Sequence, residues 1–209
     1  MYWMNCERAC VSLFWIGMVA GCSGVILQRI HFIDADFGKV DFSKIRWLWI
    51  IYSLVVSVVF LWHIKERGWL AWCVYGLLAV YFILCSVMDC VLKMVCDFFH
   101  YIGLAGGCLL LMINCPKQDS IYALLIFVGI QWILFRKMYG PADVAAFMVC
   151  AVYLAAEGKG LQAFLMHMAV SFTFLGVVQG LKKNISHTGN LKYPVALFPY
   201  IAAGFFVII

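Results

Sequence analysis

Apolar residues along this chain fall in blocks of roughly twenty, the length of helix that crosses a bilayer core, and polar residues collect in short clusters between them. Reading blocks against breaks predicts about eight spans, near Ala9–Gln28, Trp47–Ile64, Trp69–Met88, Phe98–Ile113, Ser120–Phe135, Asp143–Ala156, Leu161–Leu181 and Tyr193–Ile209. The fourth and sixth blocks are short, which predicts tilt, local thinning of the membrane or a partly re-entrant path. The expected fold is all-α: a polytopic transmembrane helix bundle forming one domain over residues 1–209.

Composition agrees with the pattern. Of 209 residues, 66% are apolar and 12% charged, whereas a soluble domain of this size needs a far more charged surface. The longest polar stretch, Arg29 to Arg46, leaves no room for a soluble domain. The formal charge of +5 reads as topology anchoring beside apolar spans rather than nucleic-acid binding. Ten cysteines are scattered with no C-x-x-C pair, and Cys6 and Cys10 have nothing opposite them to complete a zinc site. Most cysteines therefore read as small apolar packing residues, with neither a metal nor a disulfide framework expected. Val19-Ala20-Gly21-Cys22 looks like a lipoprotein cleavage box, but Gly24 to Leu27 continue apolar, so the segment reads as a retained first span.

Eight spans sort the loops onto two sides. One side collects Arg29, Lys39, Lys44, Arg46, Lys93, Arg136, Lys137, Lys182, Lys183 and Lys192, and the other has Arg8, Lys65, Arg67, Lys117 and Lys159. Basic residues resist translocation, so the richer side is expected to be cytoplasmic, with both termini outside. Asp89 closes the third span and Asp143 opens the sixth, both on the basic side. A carboxylate near hydrocarbon is costly unless paired, hydrated or protonated, which makes both functional candidates. The bland reading is that they mark helix ends, Asp143 being favoured there by the helix dipole.

Around these residues the chain reads Tyr139-Gly140-Pro141-Ala142-Asp143 and Ser86-Val87-Met88-Asp89-Cys90, with Cys96-Asp97 following. These stretches resemble the type IV prepilin leader peptidases, membrane aspartyl proteases of the GxGD type. The family's second aspartate follows Gly-x-Gly at a span start, matched here by GPAD, Gly140 to Asp143. Its first aspartate ends a span and precedes a loop ending in Pro-Asp or Pro-Asn; Asp89 matches the first, and Asp97 the residue after the proline, whose place Cys96 takes. Gly17, Gly21 and Arg29 resemble the family's opening G-x-x-x-G-S-F-L-N-V-x-x-x-R, and Pro194 to Ala202 is similar to its late P-F-G-P-Y-L-A segment, with one residue inserted. The resemblance touches four places in the expected order and covers nearly the whole chain.

The sequence also departs from the family. Ala142 replaces the second glycine of GxGD, and Ala145 stands where many members carry lysine. The Cys-rich cytoplasmic loop of bifunctional members is absent, with His31 to Ile45 in its place, so methyltransferase activity is not expected. The resemblance implies an aspartic-type endopeptidase of the bacterial cytoplasmic membrane with an Asp89/Asp143 dyad on the cytoplasmic side, supported by Gly140, Pro141, Ala142 and Asp97. One carboxylate would activate water while the other, protonated, polarises the carbonyl. The implied partners are a prepilin or pseudopilin substrate, the lipid bilayer, and pilus or secretion assembly components; no cofactor or metal is required. The alternative is a catalytically inactive scaffold that keeps the peptidase fold. A proton-coupled transporter would need polar residues at mid-membrane depth, and the span centres read as almost entirely apolar.

Other residues carry plainer expectations. Asp34, Asp36 and Asp41 are expected in a solvated loop, and His63, His100 and His167 as histidines bonded to a neighbouring helix. Gly17-x-x-x-Gly21 and Gly176-x-x-x-Gly180 are expected to allow close helix packing, and Gly103, Gly106 and Gly107 to soften a helix near the dyad. Trp47, Trp49, Trp62, Trp69 and Trp72 are expected as interfacial anchors.

Overall fold

The structure, a computed structural model, describes residues 2–34, 37–64, 67–185 and 195–209. Asp36, Lys65, Lys192, Tyr193 and Pro194 lie outside the described residues, as do the side chains of Cys6, Glu7, Arg8, Lys182 and Lys183. Among the described residues all regular structure is helical. Six helical stretches among the described residues are long and apolar enough to cross a membrane: Cys10–Ile33, Ser43–Ile64, Trp69–Leu92, Asp97–Asn114, Gln118–Tyr139 and Leu161–Leu181. Two more apolar helices, Pro141–Ala156 and Phe198–Ile208, are shorter. Each expected block thus contains a described helix, and the protein is a multi-pass, all-α membrane protein.

The chain divides into two compact units, residues 1–92 and 93–209. The first holds α1 (Tyr2–Ile33), α2 (Phe42–Ile64) and α3 (Trp69–Leu92), each packed on the other two. α3 supplies most of its core, with Tyr75, Leu78 and Phe82 fully buried, and Phe60 of α2 stacks on Phe82 at 6.0 Å between ring centroids. The tryptophans divide. Trp47, Trp62 and Trp69 face outward as anchors should, but the Trp49 indole donates to Ser23 Oγ at 3.0 Å and the Trp72 indole to the Arg67 carbonyl at 3.2 Å. Close approach between α1 and α2 falls at Gly24, where a Cβ would meet the Trp49 ring at 2.9 Å. Gly17 and Gly21 do not serve it: a Cβ on either would meet nothing within 4 Å.

The described aspartates of the α1–α2 connection, Asp34 and Asp41, are exposed as expected, and the connection also carries local structure. Phe37 is fully buried in a 3-10 turn, Phe37–Lys39, and its amide donates to the Asp34 carboxylate at 2.9 Å. The Asp41 carboxylate accepts from the Ser43 amide at 3.0 Å, an N-cap that satisfies an orphan donor of α2. Both aspartates are exposed, yet their role is local: they shape a turn that one aromatic side chain nails down.

The second unit contains α4 (Asp97–Asn114), α5 (Gln118–Ile130), a π-helical turn (Gln131–Phe135), α6 (Arg136–Tyr139), α7 (Pro141–Ala156), α8 (Leu161–Ile185) and α9 (Phe198–Ile208). α7 is its centre, contacting α4, α5, α8 and α9. Nearly every residue from Val144 to Ala156 is buried, so α7 is apolar all round, as an enclosed helix should be. At 16 residues it is about 24 Å long, short of the roughly 30 Å hydrocarbon core. The glycines of α4 explain its tight seat on α7: a Cβ at Gly107 would meet Val152 Cγ1 at 2.6 Å, and one at Gly106 would strike the Tyr153 hydroxyl. Gly106 and Gly107 thus admit a neighbouring helix. Gly204 does the same for α9 on α8, where a Cβ would meet the His167 carbonyl at 3.0 Å. At Gly176 and Gly180 a Cβ would meet nothing within 4 Å among the described residues, so they do not mark a packed seam there.

Cysteine placement also differs from expectation. Cys85 and Cys150 are buried, but Cys10, Cys22, Cys73, Cys96, Cys108 and Cys115 are exposed. On a membrane helix an outward position needs only an apolar side chain, and a thiol meets that need as well as it fills a core.

Candidate functional site

Asp89 lies in the last turn of α3 and is buried, following the buried run Ser86-Val87-Met88. Its neighbour Cys90 meets the Tyr52 hydroxyl of α2 at 3.5 Å, fixing this end of α3 within the first unit. The carboxylate therefore sits on a packed helix end rather than on a loop.

Asp143 lies in the first turn of α7, half-buried, with Pro141 opening the helix and Gly140 before it. Gly140 has φ 95° and ψ 158°, a backbone region open essentially to glycine alone. A Cβ there would meet nothing within 4 Å, so its conformation, not crowding, demands glycine. Proline at the next position costs no hydrogen bond, because its amide would be unpaired in a first turn. The Gly140 carbonyl accepts from the Val144 amide at 3.2 Å. The helix dipole favours the Asp143 carboxylate at this end.

At its other end α7 closes with Gly158 at φ 75°, whose amide donates to the Ala155 carbonyl at 2.9 Å while Lys159 donates to Leu154 at 3.0 Å. That pair of bonds is the Schellman arrangement. Asn114 Nδ2 of α4 adds a bond to the Ala156 carbonyl at 3.0 Å. The helix bearing Asp143 is thus pinned at both ends.

The approach to Asp143 contains a device that pattern reading passed over. From Gln131 to Phe135 the helix widens into a π turn, and the Arg136 amide donates to the Gln131 carbonyl. Gln131 is fully buried, its side chain donating to Met168 Sδ on α8 at 2.7 Å and accepting a short bond from the Tyr139 hydroxyl. The Tyr139 ring packs on Phe135, Phe147 and Phe172. π turns gather at functional sites, and this one anchors the residue just before the Gly140 turn. The available signal was a lone glutamine inside the apolar run Gly129 to Phe135.

Buried polar groups therefore do occur inside the helices, contrary to the reading of apolar span centres: Gln131, His167 and Ser171 are all fully buried. His167 bonds to a neighbouring helix as expected, its Nε2 donating to the Ile201 carbonyl of α9 at 2.9 Å. His63 accepts from the Arg67 guanidinium at 3.1 Å, next to its own helix, and its ring packs edge-on against Tyr75 of α3.

Asp97 opens α4 and is exposed. It lines one cleft with His100, Tyr101, Leu104, Trp132, Arg136, Pro141, Ala145 and Met148. The structure thus brings Asp97 together with Pro141, the second residue of GPAD. Asp143 is not among the lining residues. It lies roughly 200° around the helix from Pro141, so it leaves α7 on another face. Ala142 is half-buried beside it. Asp89 and Asp143 belong to different units, and each is placed here within its own.

Among the described residues no group of three or more His, Cys, Asp or Glu side chains could hold a metal ion. Compared with family models, curated proteins and solved structures, the chain finds no match.

Proposed function

We propose that the protein is a membrane aspartyl endopeptidase that cleaves the leader of type IV prepilin-like proteins at the cytoplasmic edge of a bacterial inner membrane. The observation that carries this reading is the matched pair of helix ends. Asp89 is buried in the last turn of α3, and Asp143 sits in the first turn of α7 behind a glycine-only backbone conformation. Two carboxyls close together resist ionising together, so one keeps its proton near neutral pH while the other activates water. The substrate suited to this chemistry has a short basic leader followed by an apolar helix. Partners in this reading are the bilayer and the components of a pilus or secretion assembly.

Co-expression with a prepilin tests the proposal. Asp89→Asn and Asp143→Asn are each expected to abolish leader cleavage while leaving the protein at wild-type abundance in the membrane. Normal processing by either variant removes the dyad.

Ala142 favours a second reading, since it adds a methyl where the resemblance places glycine beside the substrate. In that reading the protein is an inactive assembly scaffold. Ala142→Gly discriminates: cleavage only in that variant identifies a lapsed peptidase, and cleavage by the natural chain identifies an active one.

A further inference from the structure

The cleft holding Asp97 has a volume of about 410 Å³ and is built entirely within the second unit. Its two charged members stand at helix ends, with the buried His100 about one turn inside α4. Asp97 is the first residue of α4, Arg136 lies in the last turns of the Gln118–Tyr139 span, and Pro141 is the first residue of α7. Successive spans run in opposite directions, so these three ends share one edge of the bilayer. Leu104, Ala145 and Met148 lie one to two turns further along their helices, at greater depth. The wall therefore grades from charged at the membrane edge to apolar inside, the profile of an amphiphile lying along the protein.

The charges say which amphiphile. Arg136 holds its guanidinium 4.2 Å over the Trp132 ring, which orients a planar donor fork suited to phosphate oxygens. Asp97 presents a carboxylate to the same space. One cation and one anion match a zwitterion carrying a phosphate and a charged amine; the carboxylate repels an anionic headgroup. A primary ammonium can donate hydrogen bonds to Asp97, whereas a quaternary one cannot. Tyr101 and Trp132, 69% and 53% exposed, lie one turn further in than Asp97 and Arg136, at the level of Ala145.

We propose that this cleft binds a phospholipid of the phosphatidylethanolamine class. Its phosphate lies on Arg136, its ammonium on Asp97, and its upper acyl chains lie against Leu104, Ala145 and Met148. The cleft shares Asp97 and Pro141 with the peptidase reading, but lipid binding needs no peptidase activity and survives if that reading fails.

Native mass spectrometry of the purified full-length chain, titrated with phosphatidylethanolamine, phosphatidylcholine and phosphatidylglycerol of equal chain length, tests the proposal. Phosphatidylethanolamine is expected to bind about tenfold more tightly than phosphatidylcholine, the change that about 1.4 kcal/mol of charge-assisted bonding produces. Asp97→Asn is expected to bring that ratio close to one by weakening phosphatidylethanolamine alone. Arg136→Gln should weaken both lipids about tenfold, and Lys159→Gln neither. Equal binding of the two lipids by the natural chain, tightest binding of phosphatidylglycerol, or a ratio unmoved by Asp97→Asn overturns the proposal. So does competition by glycerophosphoethanolamine at lipid-like affinity, which would assign a soluble phosphate ester instead. The comparison on the natural chain decides the matter even if a variant fails to fold.

Discussion

The two units solve the membrane problem differently. In the first, three helices of 32, 23 and 24 residues pack on one another, and each is long enough to span. In the second, a 16-residue helix sits among four others and never has to span by itself. A helix facing lipid must carry its apolar surface across the whole hydrocarbon core. One enclosed by neighbours can stop early, because they cover its ends and supply partners, as Asn114 does for the Ala156 carbonyl. The freedom to stop early is used. Every described residue with positive φ, namely Lys93, Cys115, Gly140 and Gly158, belongs to the second unit, and so does the π turn. These four residues stand at helix ends and connections, and Gly140 stands directly before the helix that carries Asp143.

This contrast can be broken by substitution, read as thermal unfolding of the purified protein in lipid nanodiscs. The largest difference is expected between Phe147→Ala on the enclosed helix and Leu54→Ala on the outer face of α2. Phe147 is fully buried and packs on Tyr139, His167 and Phe172, so its loss leaves a cavity costing about 3 kcal/mol. Leu54 is 57% exposed, and lipid replaces its contacts, so the change should stay within about 0.5 kcal/mol. Comparable losses at the two sites would show that α7 is not the structural centre of its unit.

Gly140→Ala comes next. Space is open around that Cβ, so the penalty, about 1–3 kcal/mol, should arise from backbone conformation alone. A neutral result would mean that the turn before Asp143 relaxes freely. Smallest, and of opposite sign, is Gly17→Ala in α1, where nothing lies within 4 Å and φ is helical. Relief of glycine's entropy should stabilise by about 0.5 kcal/mol. Destabilisation there would restore Gly17 to a packed seam.

Several elements were legible before any coordinates. Apolar blocks located the eight apolar helices of the described residues, though α1 begins seven residues earlier and α9 five residues later than expected. Pro141 at a helix start and Asp143 in the first turn followed from proline and dipole rules that need no tertiary information. Glycine spacing misled. Gly17-x-x-x-Gly21 has the pattern of a helix seam, yet the seam runs through Gly24, because the Trp49 indole decides where α2 can approach. Cysteines misled for a related reason, since a thiol's apolarity does not say whether it faces lipid or protein. Gln131 was overlooked because one polar residue barely perturbs an apolar block, while its meaning depends on Tyr139 and on Met168, 37 residues away.

By itself the chain determined its class: blocks of apolar residues this long can only be helices in lipid, since any other backbone would leave polar groups unpaired in hydrocarbon. It also determined the start of α7, because a proline and a glycine-only turn act over a single turn. Only tertiary structure decided which faces meet, that α7 is enclosed, that Phe37 pins its turn, and that Asp97 and Arg136 share a cleft. Those outcomes rest on shape complementarity between segments distant in sequence, and in a membrane, where lipid and side chain are equally apolar, hydrophobicity does not distinguish the face that packs from the face that is solvated.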